Sequence, residues 1–97
     1  MAFVQIIEFT STRGDEIRAL VDDYRQASQD RPEARGVVCS DRDQDNRYLV
    51  IVEFPSYEAA MANSARPETA AMAEALAKLC DGPPTFRNLD VVEAFED

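Results

Sequence analysis

Residues 51–56 read IVEFPS, and residues 6–11 read IIEFTS. Each is an apolar pair, then Glu-Phe, then a small pair ending in serine. The second copy closes RYLVIVEF, residues 47–54, which carries the strongest strand signal in the chain. Pro55-Ser56 then opens a helical region, with serine where a capping residue belongs. The first copy closes a similar strand, FVQIIEF, residues 3–9. The turn TSTRGD follows, with Thr12 placed to cap a helix and Asp15 in the position of a capping-box acid. From Asp15 to about Asp30, Ile17, Leu20, Val21 and Tyr24 fall at helical spacing among charged residues.

The remaining elements follow from these two junctions. Pro32 ends the first helix, and Gly36 loosens the backbone before a short strand, GVVCSD, residues 36–41. DRDQDN is a polar turn, so this strand and the one at 47–54 form a hairpin. The second helical region comes in two pieces, YEAAMANS and ETAAMAEALAKLC. ARPET interrupts them, with Pro67 suited to a helix start. Met72, Leu76, Leu79 and Cys80 form one stripe of the second piece. Gly82 and Pro83-Pro84 stop it, and FRNLDVVEAF, residues 86–95, supplies a last strand.

The order is β-α-β-β-α-β across one domain, residues 1–97. This is an α+β, ferredoxin-like chain: a four-stranded antiparallel sheet with its helices on one face. The echo compares the strand-to-helix junctions of the two halves. It places the first and third strands as parallel neighbours, with Glu8 beside Glu53 and Phe9 beside Phe54.

Side chains alternate across a strand. Phe3, Gln5, Ile7 and Phe9 oppose Val4, Ile6 and Glu8; Tyr48, Val50, Val52 and Phe54 oppose Leu49, Ile51 and Glu53. Both faces are therefore apolar, and the helical regions can cover only one of them. A second copy packed through the sheet covers the other, which predicts a homodimer pairing into a dimeric α/β barrel. The alternative is a monomer with exposed aliphatic side chains.

Composition narrows the function classes. Ten Lys and Arg against nineteen Asp and Glu give a net charge of −9, so neither nucleic acid nor an anionic membrane is an expected partner. No long apolar segment or basic leader is evident in the chain, which reads as cytoplasmic. Cys39 and Cys80 have no metal-ligand spacing and read as reduced. The absence of histidine removes the usual zinc and haem ligand and any hydrolase built on a histidine base. Neither a metal nor a cofactor is expected.

VEFPSYEAAMANS resembles the segment E-x-W-x-S-x-E-A-L-x-x-H of small antibiotic-biosynthesis-monooxygenase-like proteins, the dimeric α/β-barrel superfamily. Glu53, Ser56, Glu58 and Ala59 carry the match, and element order and length extend it over the chain. The closing CDGPPTFRNLDVVEAF is similar to the end of such domains. The resemblance implies a ferredoxin-like fold, a dimer, and a pocket between sheet and helices. Some relatives oxygenate aromatic polyketides without a cofactor; others degrade haem. Here the tryptophan position falls at Phe54 or is lost, and the histidine position falls at Asn63.

Three constellations are candidates for chemistry. Glu8 and Glu53, if adjacent, would raise one carboxyl pKa and provide a proton acceptor; strand-end carboxylates paired with Arg are the plain alternative. Gln5 interrupts an apolar face that Tyr48 shares, and with Asn63 it could orient a carbonyl or phenol while Tyr24 donates a hydrogen bond. A satisfied core amide and a tyrosine at the rim are the alternative. Arg13, Arg18, Arg25 and Arg66 suit an anionic ligand or ordinary surface ion pairs. Ser11 and Ser56 sit where capping residues belong, with no base beside them.

The expected site is Gln5, Tyr24, Tyr48 and Asn63. The expected function is a dimeric domain binding a small aromatic or apolar molecule, acting as a cofactor-independent monooxygenase on an aromatic or polyketide-like compound. The rival is a non-catalytic dimeric module that binds a small apolar ligand or a protein partner.

Overall fold

In a computed structural model, residues 2–27 and 35–95 of the chain are described. The elements run β1 (Phe3–Thr10), α1 (Gly14–Ala27), β2 (Arg35–Ser40), β3 (Arg47–Phe54), α2 (Tyr57–Ser64), α3 (Pro67–Leu79) and β4 (Thr85–Asp90). One four-stranded sheet has the order β2-β3-β1-β4, and every neighbouring pair is antiparallel. The helices lie on one face, as a split βαβ arrangement requires. The end of the first predicted helix, residues 28–30, and Pro32 lie outside the described residues.

The central pair corrects one expectation. β1 and β3 are antiparallel, so Glu8 stands opposite Leu49, Glu53 opposite Val4, and Phe9 opposite Tyr48 rather than Phe54. The reason is connectivity. Helix α1 returns the chain so that β2 runs with β1, and the hairpin at residues 41–46 then reverses β3. The echoed segments run toward opposite ends of the sheet. They cross at Ile6, which pairs with its own counterpart Ile51. The repeat is therefore two-fold, with its axis passing that pair. Phe9 and Phe54, both buried, end up in different parts of the core.

The local signals mostly fall where expected. Ser56 caps α2 by accepting from the Ala59 amide at 3.1 Å, and Pro67 stands in the first turn of α3. The hairpin turn uses Asn46 at φ 65°, a left-handed conformation that asparagine tolerates better than most residues. Two boundaries move. Helix α1 begins at Gly14, with Arg13 O accepting from Ile17 N at 3.1 Å, so Thr12 does not cap it. Ser11 is fully buried instead: its hydroxyl donates to Leu79 O at 2.6 Å and accepts from the Arg13 amide at 2.9 Å. It ties the start of α1 to the end of α3. The last strand stops at Asp90 rather than 95. Val91 N still reaches Ala2 O at 3.0 Å, but β1 begins at Phe3 and offers no further ladder beyond that point.

The core lies between the sheet and the helices and divides in two. One cluster joins Ile7, Phe9, Ile17, Val50 and Leu76, with Leu20, Val21 and Met72 against it. The other joins Phe3, Phe54 and Ala60. The opposite sheet face carries no helix. On it, Val4, Ile6, Leu49 and Ile51 form an apolar centre, with Val37 and Leu89 more exposed toward the two edges.

Candidate functional site between sheet and helices

Alternation along β1 turns Phe3, Gln5, Ile7 and Phe9 toward the helices. Phe3 belongs to one core cluster and Ile7 to the other. Gln5 therefore sits at the seam between them. Its partner across the ladder is Val52, which packs against both clusters. Gln5 is half-buried, and its Nε2 donates to Asn88 Oδ1 on β4 at 3.1 Å.

Tyr24 lies in the second half of α1. Helix α1 starts beside the end of β1 and runs back along it. The Tyr24 hydroxyl donates to Asn63 Oδ1 at 3.3 Å and shares a 2.8 Å hydrogen bond with Thr69 Oγ1. Asn63 lies in the last turn of α2 and Thr69 in the first turn of α3. The break at residues 65–66 brings those two turns onto one tyrosine. Two of the expected site residues, Tyr24 and Asn63, are thus in direct contact, and Thr69 completes the cluster.

Tyr48 stands elsewhere. It lies four ladder positions from Val52, roughly 13 Å along the strand, stacked on Phe9 with ring centroids 5.8 Å apart. A Cβ built on Gly14 would meet the Tyr48 hydroxyl and lie 2.9 Å from Cζ, so a larger residue there requires the tyrosine ring to shift off its place against Phe9.

The carboxylates are not adjacent to each other and are not on the helix side. Glu8 projects from the open face and accepts from Arg47 at 2.9 Å and from Arg87 at 3.0 Å. Arg47 also donates to Asp41 at 2.6 Å. The Asp43 amide, followed by the Arg47 guanidinium, holds the Asp41 carboxyl below the usual carboxylate range. Glu53 is exposed, in register with Arg35. Of the arginines, Arg13 pairs with Glu16, and Arg66 with Glu68 at 2.7 Å; Arg18 and Arg25 are exposed. Both cysteines are free, and burial followed by the Asp81 charge pushes the Cys80 thiol up. Among the described residues no group of His, Cys, Asp or Glu could hold a metal ion, and no helix is long and apolar enough to cross a membrane.

Thr69 and Asn88 carried no distinguishing signal in the sequence. Thr69 reads as an ordinary residue of a helix start. Asn88 would stand out only once the β1–β4 register placed it opposite Gln5.

An antiparallel sheet of order β2-β3-β1-β4, covered by helices on one face, is the fold of the antibiotic-biosynthesis-monooxygenase-like proteins, and many solved structures of that group superpose on nearly the whole chain. A variant of SnoaB, a cofactor-independent oxygenase from Streptomyces nogalater, matches with a TM-score of 0.84 at 18% identity, covering 99% of this chain and 98% of that one. A candidate antibiotic biosynthesis monooxygenase from Deinococcus radiodurans matches with a TM-score of 0.79 at 18% identity, covering 100% and 98%. Rv0793 from Mycobacterium tuberculosis matches with a TM-score of 0.80 at 14% identity, covering 99% and 100%. At these identities the likeness is one of fold. No family model and no curated protein matches the sequence.

Proposed function

We propose that this chain is a homodimeric small-molecule-binding domain that acts as a cofactor-independent monooxygenase on an aromatic, polyketide-like compound. The observation that carries the reading is the half-buried polar cluster of Tyr24, Asn63 and Thr69, where α1, α2 and α3 meet over an otherwise apolar core. Ligand sites commonly pair an apolar wall with a few convergent polar groups. The fold-wide likeness to a cofactor-independent oxygenase supports the reading.

The chemistry asks little of the protein. An anthrone loses a proton from its methylene carbon to give an enolate that reacts with dioxygen. The two methylene C–H bonds give way to a C=O bond. One oxygen atom ends in the quinone and the other leaves in water with the two hydrogens. In this proposal Gln5, Tyr24 and Asn63 orient the ligand, and hydrogen-bond donors aimed at the enolate oxygen favour its formation. Tyr48 enters as a wall of the apolar core, given its distance from Gln5. Glu8 is committed to two arginines on the other face, so solvent takes the methylene proton.

The homodimer rests on the uncovered sheet face. Four strands spaced 4.8 Å apart and about seven residues long present roughly 450 Å² in projection. Only its centre, Val4, Ile6, Leu49 and Ile51, is apolar; Glu8, Arg47 and Arg87 flank it, so burial at about 25 cal/mol per Å² of apolar surface yields a few kcal/mol per copy.

The test is oxygen consumption with 1,8-dihydroxyanthrone in chelator-treated buffer. The expected result is uptake above the spontaneous rate, with 1,8-dihydroxyanthraquinone as product and a reduced rate for Asn63→Ala. Uptake equal to buffer alone, at protein concentrations that bind the compound, would leave a non-catalytic binding module.

A further inference from the structure

The chain leaves β4 as VVEAF, residues 91–95, a segment rich in strand-forming residues. Among the described residues, Val91 N, which donates to Ala2 O at 3.0 Å, is the last backbone donor of this segment with a backbone acceptor. Val92 is 87% exposed and Phe95 80%, more than any other large apolar side chain described. A second unmatched feature lies at the opposite edge of the sheet. β2 is an edge strand, and Val37 and Val38, on its two faces, are 56% and 41% exposed. Edge strands are usually blunted by charge or proline. β4, the other edge, carries Arg87, Asn88 and Asp90, whereas β2 carries only Arg35, at its start.

The two features cannot meet within one chain. The outer side of β2 lies four strand spacings from β4, about 19 Å, whereas five residues reach about 17 Å at full extension. A second copy brings them together. When two uncovered faces pack about 10 Å apart around a two-fold axis along the strands, each β4 lies over the partner's β2. The register sets Leu89 level with Arg35, through Val4 and Glu53. The segment therefore leaves each copy at the end of the sheet where the partner's β2 begins. Arg35 is the one charged residue of β2 and Glu93 the one of the segment, and their charges are opposite.

We infer that residues 91–95 are an arm that crosses to a second copy of this chain and seats Phe95 on the apolar edge made by the partner's Val37 and Val38. The inference rests on the homodimer half of the proposed function. The exchange is reciprocal: two arms fill two edges, so the contact closes at the dimer and leaves no apolar edge for further copies. It also supplies apolar contact that the uncovered face lacks, since charged residues flank the centre of that face.

The test uses the full chain, and its first readout needs no variant. In an equal mixture of isotope-labelled and unlabelled chains, filtered nuclear Overhauser spectra report only contacts between copies. They are expected to join the Phe95 ring to the methyl groups of Val37 and Val38. The second readout is the dimer dissociation constant by sedimentation. Val92→Asp and Phe95→Asp are each expected to raise it about tenfold or more, and Phe95→Leu to leave it within about threefold of the parent. Far-UV circular dichroism should be unchanged in all three, because these side chains are exposed in the single chain. A dimeric parent with no contacts between the arm and the other copy would overturn the arm while leaving the homodimer standing. So would a Phe95→Asp dissociation constant within about twofold of the parent. Contacts from Phe95 to the partner's β4 instead of its β2 would overturn the docking edge. A parent that sediments as a single chain would overturn the homodimer and the arm together.

Discussion

Leu76→Ala is the sharpest probe of how the two layers are held together. Leu76 is 2% exposed and belongs to the cluster with Ile7, Phe9, Ile17 and Val50, so it joins α3 to the sheet and to α1. Replacing it removes three carbon atoms from a site enclosed on all sides. Such truncations cost about 2–5 kcal/mol, the transfer energy plus the cavity left behind. The upper half of the range fits here, because sheet and helices on both sides of the cluster limit collapse into the gap. A chain of this size loses about 4–8 °C of melting temperature per kcal/mol, so about 4 kcal/mol should lower the transition by roughly 20 °C. Circular dichroism during heating at fixed protein concentration measures this, with Leu76→Met as a volume-conserving control expected to cost less than about 1.5 kcal/mol. A Leu76→Ala transition within about 3 °C of the parent would refute the placement of Leu76 at the centre of the core.

Two further outcomes follow from local geometry. Gly14→Ala is expected to destabilise by about 1–3 kcal/mol by overpacking against Tyr48. Denaturant titration should show a smaller loss when the same change is made in a Tyr48→Leu background. Asp41 has a depressed carboxyl pKa in the folded chain, so its contribution is present above the ordinary carboxylate range and disappears as pH falls through the lower, folded value. Asp41→Asn should therefore flatten the loss of stability below about pH 4 while leaving its slope near neutrality unchanged, as read from melting temperatures across pH.

The fold was legible because its signals were redundant. RYLVIVEF is β3 residue for residue, YEAAMANS is α2, and the Ser56 and Pro67 starts behave as their chemistry dictates. The direction of the central strands was not legible from the IVEFPS echo. A repeat gives equivalence between segments, whereas direction depends on how many times the chain turns between them. Counting the helix and the hairpin would have given the antiparallel answer. The pairing of Glu8 with arginines likewise needed the register, since Arg87 and Arg47 come from strands on either side of it.

The grouping of Tyr24 with Asn63, and the separate place of Tyr48, were legible only in part for a similar reason. Gln5 stood out as a polar residue on an apolar face, and Tyr24 as the last member of a helical stripe. Asn63 was marked by the resemblance. Tyr48 shared a face with Gln5, but a shared face does not bring together residues several ladder positions apart. Thr69 was invisible because helix starts routinely carry threonine, and its partner lies on a helix far away in sequence.

Sedimentation at micromolar concentration tests the central claim most directly: a sheet apolar on both sides, with helices enough for one, is completed by its twin. The expected particle has twice the 10.8 kDa chain mass, and Ile51→Glu, at the middle of the uncovered face, should halve it without unfolding the chain. A parent that sediments as a single chain at those concentrations would contradict the account.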